Sequence, residues 1–289
     1  MTRIDTLLKS SVTTSFEFFP PKTDDGRDAL RQTVKELEPL SPSFVSITYG
    51  AGGATRERTH DLVIDMLTNT SIPPMAHLTT VAHSRHELEE ILTRYRDAGV
   101  ANIMALRGDM PADNPNPVRE LAHATDLVAL AREVGKDQFA IGVAAHPEGH
   151  PESQSLSTDR AYLAEKLKLA DFGVTQFFFH VDVYVKLLDD LDRLGCDTPV
   201  LPGIMPVTNV TQIERFAALS GTALPNWLRN RLAKATSQEE IETIGVEVAT
   251  ELCADLLAAG APGLHFYTLN RSQATRRIWA ALNNEPVAP

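Results

Sequence analysis

The sequence predicts an α/β fold, a single (βα)8 TIM barrel over residues 1–289, with an extra helix between units seven and eight. Three observations predict it. Eight short apolar runs recur along the chain, at residues 14–19, 44–49, 75–80, 103–109, 140–146, 174–180, 201–205 and 264–269. Segments of helical periodicity separate them. No break in composition interrupts the 289 residues, a length that suits one barrel of about 250 residues. Strands that are apolar on both faces and joined by helices imply a parallel sheet. Eight regular units favour closure over an open, doubly wound sheet.

The helices follow in order. Residues 24–38 place Leu30, Val34 and Leu37 on one stripe, behind Thr23 as N-cap. Residues 55–67 repeat the stripe with Leu62, Val63, Met66 and Leu67. Residues 84–98 open on a capping signal, Ser84 and Glu87, and stop at Gly99. Further helices are expected over 117–134, 158–170, 183–194, 212–219 and 237–259. The irregular segment 222–237, with Pro225 and Trp227, reads as the extra helix.

Charge and composition exclude whole classes of function. Acidic residues outnumber basic ones by 38 to 27, a net charge of −11. Nucleic acid needs a basic face, so it is not an expected partner. No apolar stretch approaches the roughly 20 residues of a membrane span. Residues 1–9 carry Arg3, Asp5 and Lys9 and lack the apolar core of a secretory signal. Cys196 and Cys253 form no CxxC pair. A reducing, cytoplasmic setting is therefore expected. The sequence carries no signal for one oligomeric state over another. No G-x-S-x-G elbow, Walker loop or HExxH is present, so hydrolytic nucleophile chemistry has no support.

Several apolar runs carry one polar residue near their end: Glu17, Thr48, His77, Asp109, His146 and Gln176. In a (βα)8 barrel the chemistry sits at the C-terminal strand ends, so this ring of polar residues marks a pocket. Alternation tells which residues face inward: Ser15, Glu17 and Phe19 share one face of the first strand, Ala105, Arg107 and Asp109 one face of the fourth, and Gln176, Phe178 and His180 one face of the sixth. Glu17 lies among Phe16, Phe18 and Phe19. That surrounding is expected to raise its pKa toward the range of a general acid, unless the strand is an edge with Glu17 in water. Arg107 and Asp109 flank Gly108, either as ligand groups at a close backbone approach or as a structural pair at a turn. The loop 50–55, rich in glycine, fails as a dinucleotide fingerprint and reads as a strand-to-helix turn. His146-Pro-Glu-Gly-His-Pro-Glu reads as a ligand-contacting loop rather than a metal site, since no further ligand cluster accompanies it. Gln176 offers both donor and acceptor, which suits a heterocycle, or else is a satisfied core amide. Tyr267 and Arg271 close the last unit. Arg271 is expected to project into the mouth, where it suits a carboxylate, and Tyr267 reads alternatively as a barrel-filling aromatic.

Seven segments together resemble the bacterial methylenetetrahydrofolate reductases: Ser15-Phe-Glu-Phe-Phe-Pro-Pro, Ser46-Ile-Thr-Tyr-Gly, Ala76-His-Leu-Thr, Ala105-Leu-Arg-Gly-Asp, Thr175-Gln-Phe-Phe-Phe, Pro202-Gly-Ile-Met-Pro-Val and His265-Phe-Tyr-Thr-Leu-Asn-Arg. The resemblance covers nearly the whole chain in order. It implies reduction of 5,10-methylenetetrahydrofolate to 5-methyltetrahydrofolate, without the regulatory domain of the eukaryotic enzymes. Glu17 would be the general acid. Asp109 and Gln176 would bind the pterin, Asp109 also stabilising a cationic intermediate. Tyr267 and Arg271 match a region near folate and nicotinamide.

The family usually carries FAD. Thr48, His77, Arg107, Gly108, Asp109, Asp159 and Lys166 keep the flavin-contact pattern, but other positions depart from it. His146 stands where tyrosine is usual, Tyr162 replaces an asparagine, and Val210 replaces a phenylalanine that often stacks on nicotinamide. His123 stands near where another tyrosine is expected, and Leu-Ala-Asp-Phe-Gly-Val replaces the usual Ala-Gly-Ala. The family has a flavin-free branch, in which NADH (or NADPH) passes hydride directly to the folate. The clustered departures point to that branch and make FAD doubtful. Two alternatives stand beside it: the same reaction through FAD, with the substrates taking turns, and a folate-binding barrel without catalysis.

Overall fold

The computed structural model describes residues 2–50, 53–110, 114 and 116–283. Eight strands, β1 (Thr13–Phe18), β2 (Phe44–Ile47), β3 (Pro74–Thr79), β4 (Asn102–Leu106), β5 (Ala140–Ala145), β6 (Phe172–Phe177), β7 (Val200–Ile204) and β8 (Gly263–Tyr267), form a closed parallel barrel in sequence order. β1 pairs with both β2 and β8, so the edge-strand alternative for Glu17 falls. The helices are α1 (Ile4–Ser10), α2 (Asp24–Leu37), α3 (Gly53–Asn69), α4 (Arg85–Ala98), α5 (Ala124–Gly135), α6 (Leu156–Leu169), α7 (Val181–Arg193), α8 (Val210–Ser220), α9 (Asn226–Leu232), α10 (Gln238–Ala258) and α11 (Gln273–Asn283). None of the described helices is long and apolar enough to cross a membrane.

The caps form as the sequence predicts. Thr23 accepts from the Gly26 amide at 3.1 Å, and Ser84 and Glu87 complete a capping box. Gly99 takes the left-handed φ of +85° that ends α4. Several boundaries shift by one or two residues, and two shifts have a visible cause. α5 begins at Ala124 rather than 117, where the Asp126 carboxylate accepts from the His123 amide in the first turn. α6 begins at Leu156 because Ser155, three residues before the expected start, supplies the N-cap. Of the loop 50–55, residues 51 and 52 lie outside the described residues.

The interior is layered. At the N-terminal end of the barrel, Phe44, Met75, Met104, Ala140, Phe172, Val174 and Leu201 pack together with Ile4 of α1. Ile4 is fully buried, worth about 1.5–3 kcal/mol in transfer alone. Asn102 ties this plug down: its Oδ1 accepts from the Ile4 amide at 2.8 Å and its Nδ2 donates to Thr2 and Pro74 carbonyls. Phe16, Phe18, Ala105 and Phe178 belong instead to the outer core beneath the helices. The expected inward sets are corrected accordingly. Ala105 faces the helices, Phe178 stacks on Tyr184 of α7, and Phe19 is exposed.

The chain between β7 and β8 holds three helices. α10 packs between α7 and α11 and is therefore the seventh helix of the outer ring. α8 and α9 form an excursion over the C-terminal rim, with a small core of Val207, Ile213, Leu224 and Leu228 against Phe177 and Phe179. The helix expected over 212–219 thus belongs to this excursion, not to the ring. The excursion is sewn to neighbouring strand ends. Thr222 Oγ1 donates to the Phe177 carbonyl at 3.1 Å, and Trp227 Nε1 donates to His180 Nε2 at 3.1 Å.

Candidate active site

Above the apolar plug the inward side chains turn polar. Glu17 on β1 stands between His77 of β3 and His265 of β8, each with Nε2 at 3.4 Å from Glu17 Oε2. A carboxylate only accepts, so His265 donates from Nε2, and its Nδ1 meets Ser15 Oγ at 2.8 Å. On the other side Ser46 Oγ lies 2.5 Å from His77 Nε2. Four strands thus contribute to one cluster: Ser15 and Glu17, Ser46, His77 and His265. It is nearly closed to water, with Glu17 18 % exposed and His265 only 1 %.

The electrostatics of Glu17 differ from the sequence expectation. Burial pushes its carboxyl up. The hydrogen bond from His265, the fields of His77 and His265, and a hydrogen bond from Ser46 outweigh burial and leave it below the usual carboxylate range. The expected rise fails because alternation turns Phe16 and Phe18 away from the carboxyl, toward the helices. His77 is pushed down by burial, against the opposing pull of Glu17. At neutral pH the cluster therefore holds a carboxylate beside a neutral His77. The end of β1 is also held: Thr268 Oγ1 donates to the Glu17 carbonyl at 2.6 Å, and the Asn270 amide brackets the Phe19 backbone at 2.9 and 2.8 Å.

A second group gathers at the ends of β4 and β5. Arg107 forms a forked pair with Glu152, 2.5 and 3.1 Å, from the loop after β5. Asp159 on α6 accepts from the His150 amide and the Ser153 hydroxyl, both at 3.1 Å, and lies 3.2 Å from Arg160. Lys166 donates to the Ala144 carbonyl at 2.6 Å, and burial lowers its pKa to about 8. His146 packs edge-on against His150. Burial, then His150 and Lys166, push it down to about 4, so its imidazole is neutral. Its Nδ1 is buried without a partner among the described residues. Glu148 of the same loop accepts from the Ala223 amide at 3.0 Å, which joins the loop to the excursion.

Of the remaining predicted residues only Tyr267 touches either group. Gly108 has φ +84°, and a Cβ there would lie 2.9 Å from the Thr79 side chain, so backbone conformation and packing both require glycine. Asp109 is exposed and makes no hydrogen bond among the described residues. Arg271 is also exposed; its amide donates to Thr268, and its side chain has no partner among the described residues. Thr48 donates its amide to the Phe18 carbonyl at the end of β2. Gln176 Oε1 accepts from its neighbouring Phe177 amide at 3.3 Å. Tyr267 packs edge-on against His265 and donates to the Thr175 carbonyl at 2.6 Å. Among the described residues no group of three metal-ligating side chains gathers.

Sequence reasoning put Ser15 on the face of Glu17 without giving it a role, and it missed Ser46 and Glu152. The two serines follow the same period-two alternation as Glu17, and that signal alone finds them. Nothing in the sequence singles out Glu152 from other loop carboxylates.

Comparison with known proteins bears on this arrangement. The family model for methylenetetrahydrofolate reductase matches residues 3–283. The 5,10-methylenetetrahydrofolate reductase of Pectobacterium carotovorum is 37% identical over 281 residues, covering 96% of this chain and 93% of that protein. That of Escherichia coli K12 is 35% identical over the same shares. An Arabidopsis thaliana protein named methylenetetrahydrofolate reductase (NADH) 1 is 36% identical over 270 residues, covering 89% of this chain and 46% of its own length. Among solved structures, a Clostridium thermocellum protein described as binding two copies of 5-methyl-5,6,7,8-tetrahydrofolic acid superposes with a TM-score of 0.67 at 14% identity, over 98% of both chains, a likeness of fold. With its barrel and most of its length matched in this way, the chain belongs to the methylenetetrahydrofolate reductase family.

Proposed function

We propose that this chain reduces 5,10-methylenetetrahydrofolate to 5-methyltetrahydrofolate, with hydride passing directly from NAD(P)H. The observation that carries the reaction is the buried carboxylate–imidazole cluster around Glu17, in a chain of this family. In the reaction N10 of the folate takes a proton, the bond from N10 to the methylene carbon breaks, and its electron pair stays on N10. The resulting N5 iminium accepts hydride at the methylene carbon, and NAD(P)+ leaves. One proton and one hydride are consumed. Glu17 is the proton donor to this step. Flanked by the two imidazoles it is a carboxylate. A pterin seated against it removes water and raises its proton affinity, with His265 and His77 as its proton-exchanging neighbours. Asp109, which makes no hydrogen bond among the described residues, is the carboxylate to face the cationic iminium, and a negative charge there lowers the barrier to its formation. Gln176 reads the pterin edge, and Arg271, whose side chain has no partner among the described residues, is the cation for the folate's glutamate carboxylate.

NADH is the expected donor, in keeping with the plant relative's name. The reading without the family's usual flavin is supported by the partners that its expected contact residues already have. Lys166, Asp159 and Arg107, which would meet its phosphates and ring, are turned to Ala144, to the loop after β5 and to Glu152. Thr48, His77, Gly108 and His146 then line the place for the nicotinamide. Direct transfer requires its C4 within about 3–3.5 Å of the iminium carbon.

Steady-state kinetics with the purified protein test the proposal. Initial rates over a grid of NADH and methylenetetrahydrofolate are expected to give intersecting double-reciprocal lines, from a protein lacking the visible flavin absorption band. Parallel lines and a flavin band overturn direct transfer. Absence of folate-dependent NADH or NADPH oxidation overturns the reductase itself.

A further inference from the structure

The pairing of β6 with β7 departs from a regular ladder where Gln176 stands. Val174 pairs with Leu201 and Phe177 with Gly203, so Thr175 and Gln176 together oppose Pro202. In a regular parallel ladder the Gly203 amide would reach the Thr175 carbonyl. Here it donates to the Thr175 hydroxyl instead, at 2.8 Å. The side chain of Thr175 thus replaces its own carbonyl in the ladder.

The released carbonyl turns across the face of Gly203. A Cβ on Gly203 would lie 2.3 Å from that oxygen and 2.6 Å from Cε2 of Tyr267, so glycine is needed for both to occupy the space. Tyr267, reaching over from β8, donates its hydroxyl to the carbonyl at 2.6 Å. The carbonyl belongs to the peptide that joins Thr175 to Gln176. Its plane sets the direction in which the Gln176 side chain leaves the backbone.

We propose that Tyr267 is a positioning residue for Gln176. Its phenol holds the turned Thr175 carbonyl and thereby aims the Gln176 amide, with Gly203 as the seat that admits the ring. The hydroxyl is spent on the backbone, so Tyr267 acts through Gln176 rather than by its own hydrogen bond to folate. The proposal rests on the reading of Gln176 as a pterin contact given above.

Tyr267→Phe keeps the ring and removes only the hydroxyl, so it tests the bond without opening a cavity. The KM for methylenetetrahydrofolate is expected to rise about tenfold, the scale of one well-placed hydrogen bond, with KM for NADH and the melting temperature unchanged. In a Gln176→Ala background the same change is expected to add less than about twofold, since a residue acting only through Gln176 has nothing left to aim. A crystal structure of Tyr267→Phe is expected to show the Thr175 carbonyl swung back toward the Gly203 amide. Two results overturn the proposal: penalties that multiply in the double variant, as direct folate contact by Tyr267 requires, or a carbonyl that stays turned without the phenol. If Gln176→Ala alone leaves the folate KM unchanged, the pterin reading of Gln176 is what fails. The carbonyl's orientation in Tyr267→Phe then still decides whether Tyr267 aims it.

Discussion

The two halves of the barrel mouth use polar residues in opposite ways. Around β1, β2, β3 and β8, strand residues meet strand residues: Glu17, His77, His265, Ser15 and Ser46 partner one another across the interior. Around β4, β5 and α6, polar residues meet a loop: Arg107 with Glu152, and Asp159 with the His150 amide and Ser153. In the first half the groups face a shared space with protons to exchange. In the second they are consumed in holding the chain after β5 against the rim. Strand geometry makes a cluster that is already assembled, whereas the second group depends on where the loop after β5 lies.

The largest effect should come from the first half. Glu17→Gln keeps size and hydrogen bonding but gives up the exchangeable proton. It is expected to lower kcat by roughly 10²–10⁴ with an unchanged melting temperature. Turnover within a few-fold of the parent would show that the cluster does not carry the chemistry and would erase the contrast between the halves.

The next effect belongs to the second half and is read through pH. Burial, with His150 and Lys166 nearby, pushes His146 down to about 4 in the folded chain, from the 6.5 of an ordinary imidazole. Between those values the unfolded chain binds the proton and the folded chain does not. Stability must therefore rise with pH across that window and fall as the solution is acidified through it. His146→Gln is expected to flatten the slope of unfolding free energy between about pH 4 and 6.5 by up to one proton, roughly 1.4 kcal/mol per pH unit. Denaturant titrations at several pH values measure it. An unchanged slope would mean that His146 is solvated and that the loop does not close over it.

The smallest effect tests the ion pair itself. Glu152 is 64% exposed, and pairs of that kind contribute about 0–1 kcal/mol. Glu152→Ala should therefore leave the melting temperature nearly unchanged while it frees Arg107. A larger loss of stability would show that this pair, rather than Asp159, holds the loop.

Much of this was legible in the chain. Eight apolar runs alternating with amphipathic stretches specify the closed barrel, because parallel strands buried on both faces need a helix between each pair. Glu17 and His77 were legible as polar residues stranded in such runs. The pKa of Glu17 was not. Its sequence neighbours are phenylalanines, but its spatial neighbours, His77 and His265, lie 60 and 248 residues away. The plug α1 was missed because seven residues with two apolar anchors give no periodic signal. The order of helices after β7 was misread because α8 and α10 are both amphipathic, and only packing shows that α10 joins the ring.

The sequence by itself determined the class of fold, the family and the set of chemical groups available at the strand ends. Those follow from local periodicity and residue type, which the chain carries in order. The tertiary structure alone decided the partners: which imidazoles flank Glu17, which carboxylate occupies Arg107, and which phenol turns the carbonyl beside Gln176. Partnership depends on side chains brought together from strands and loops far apart in the chain. No local pattern encodes it, because each group's proton affinity and direction are set by neighbours that exist only once the barrel has closed.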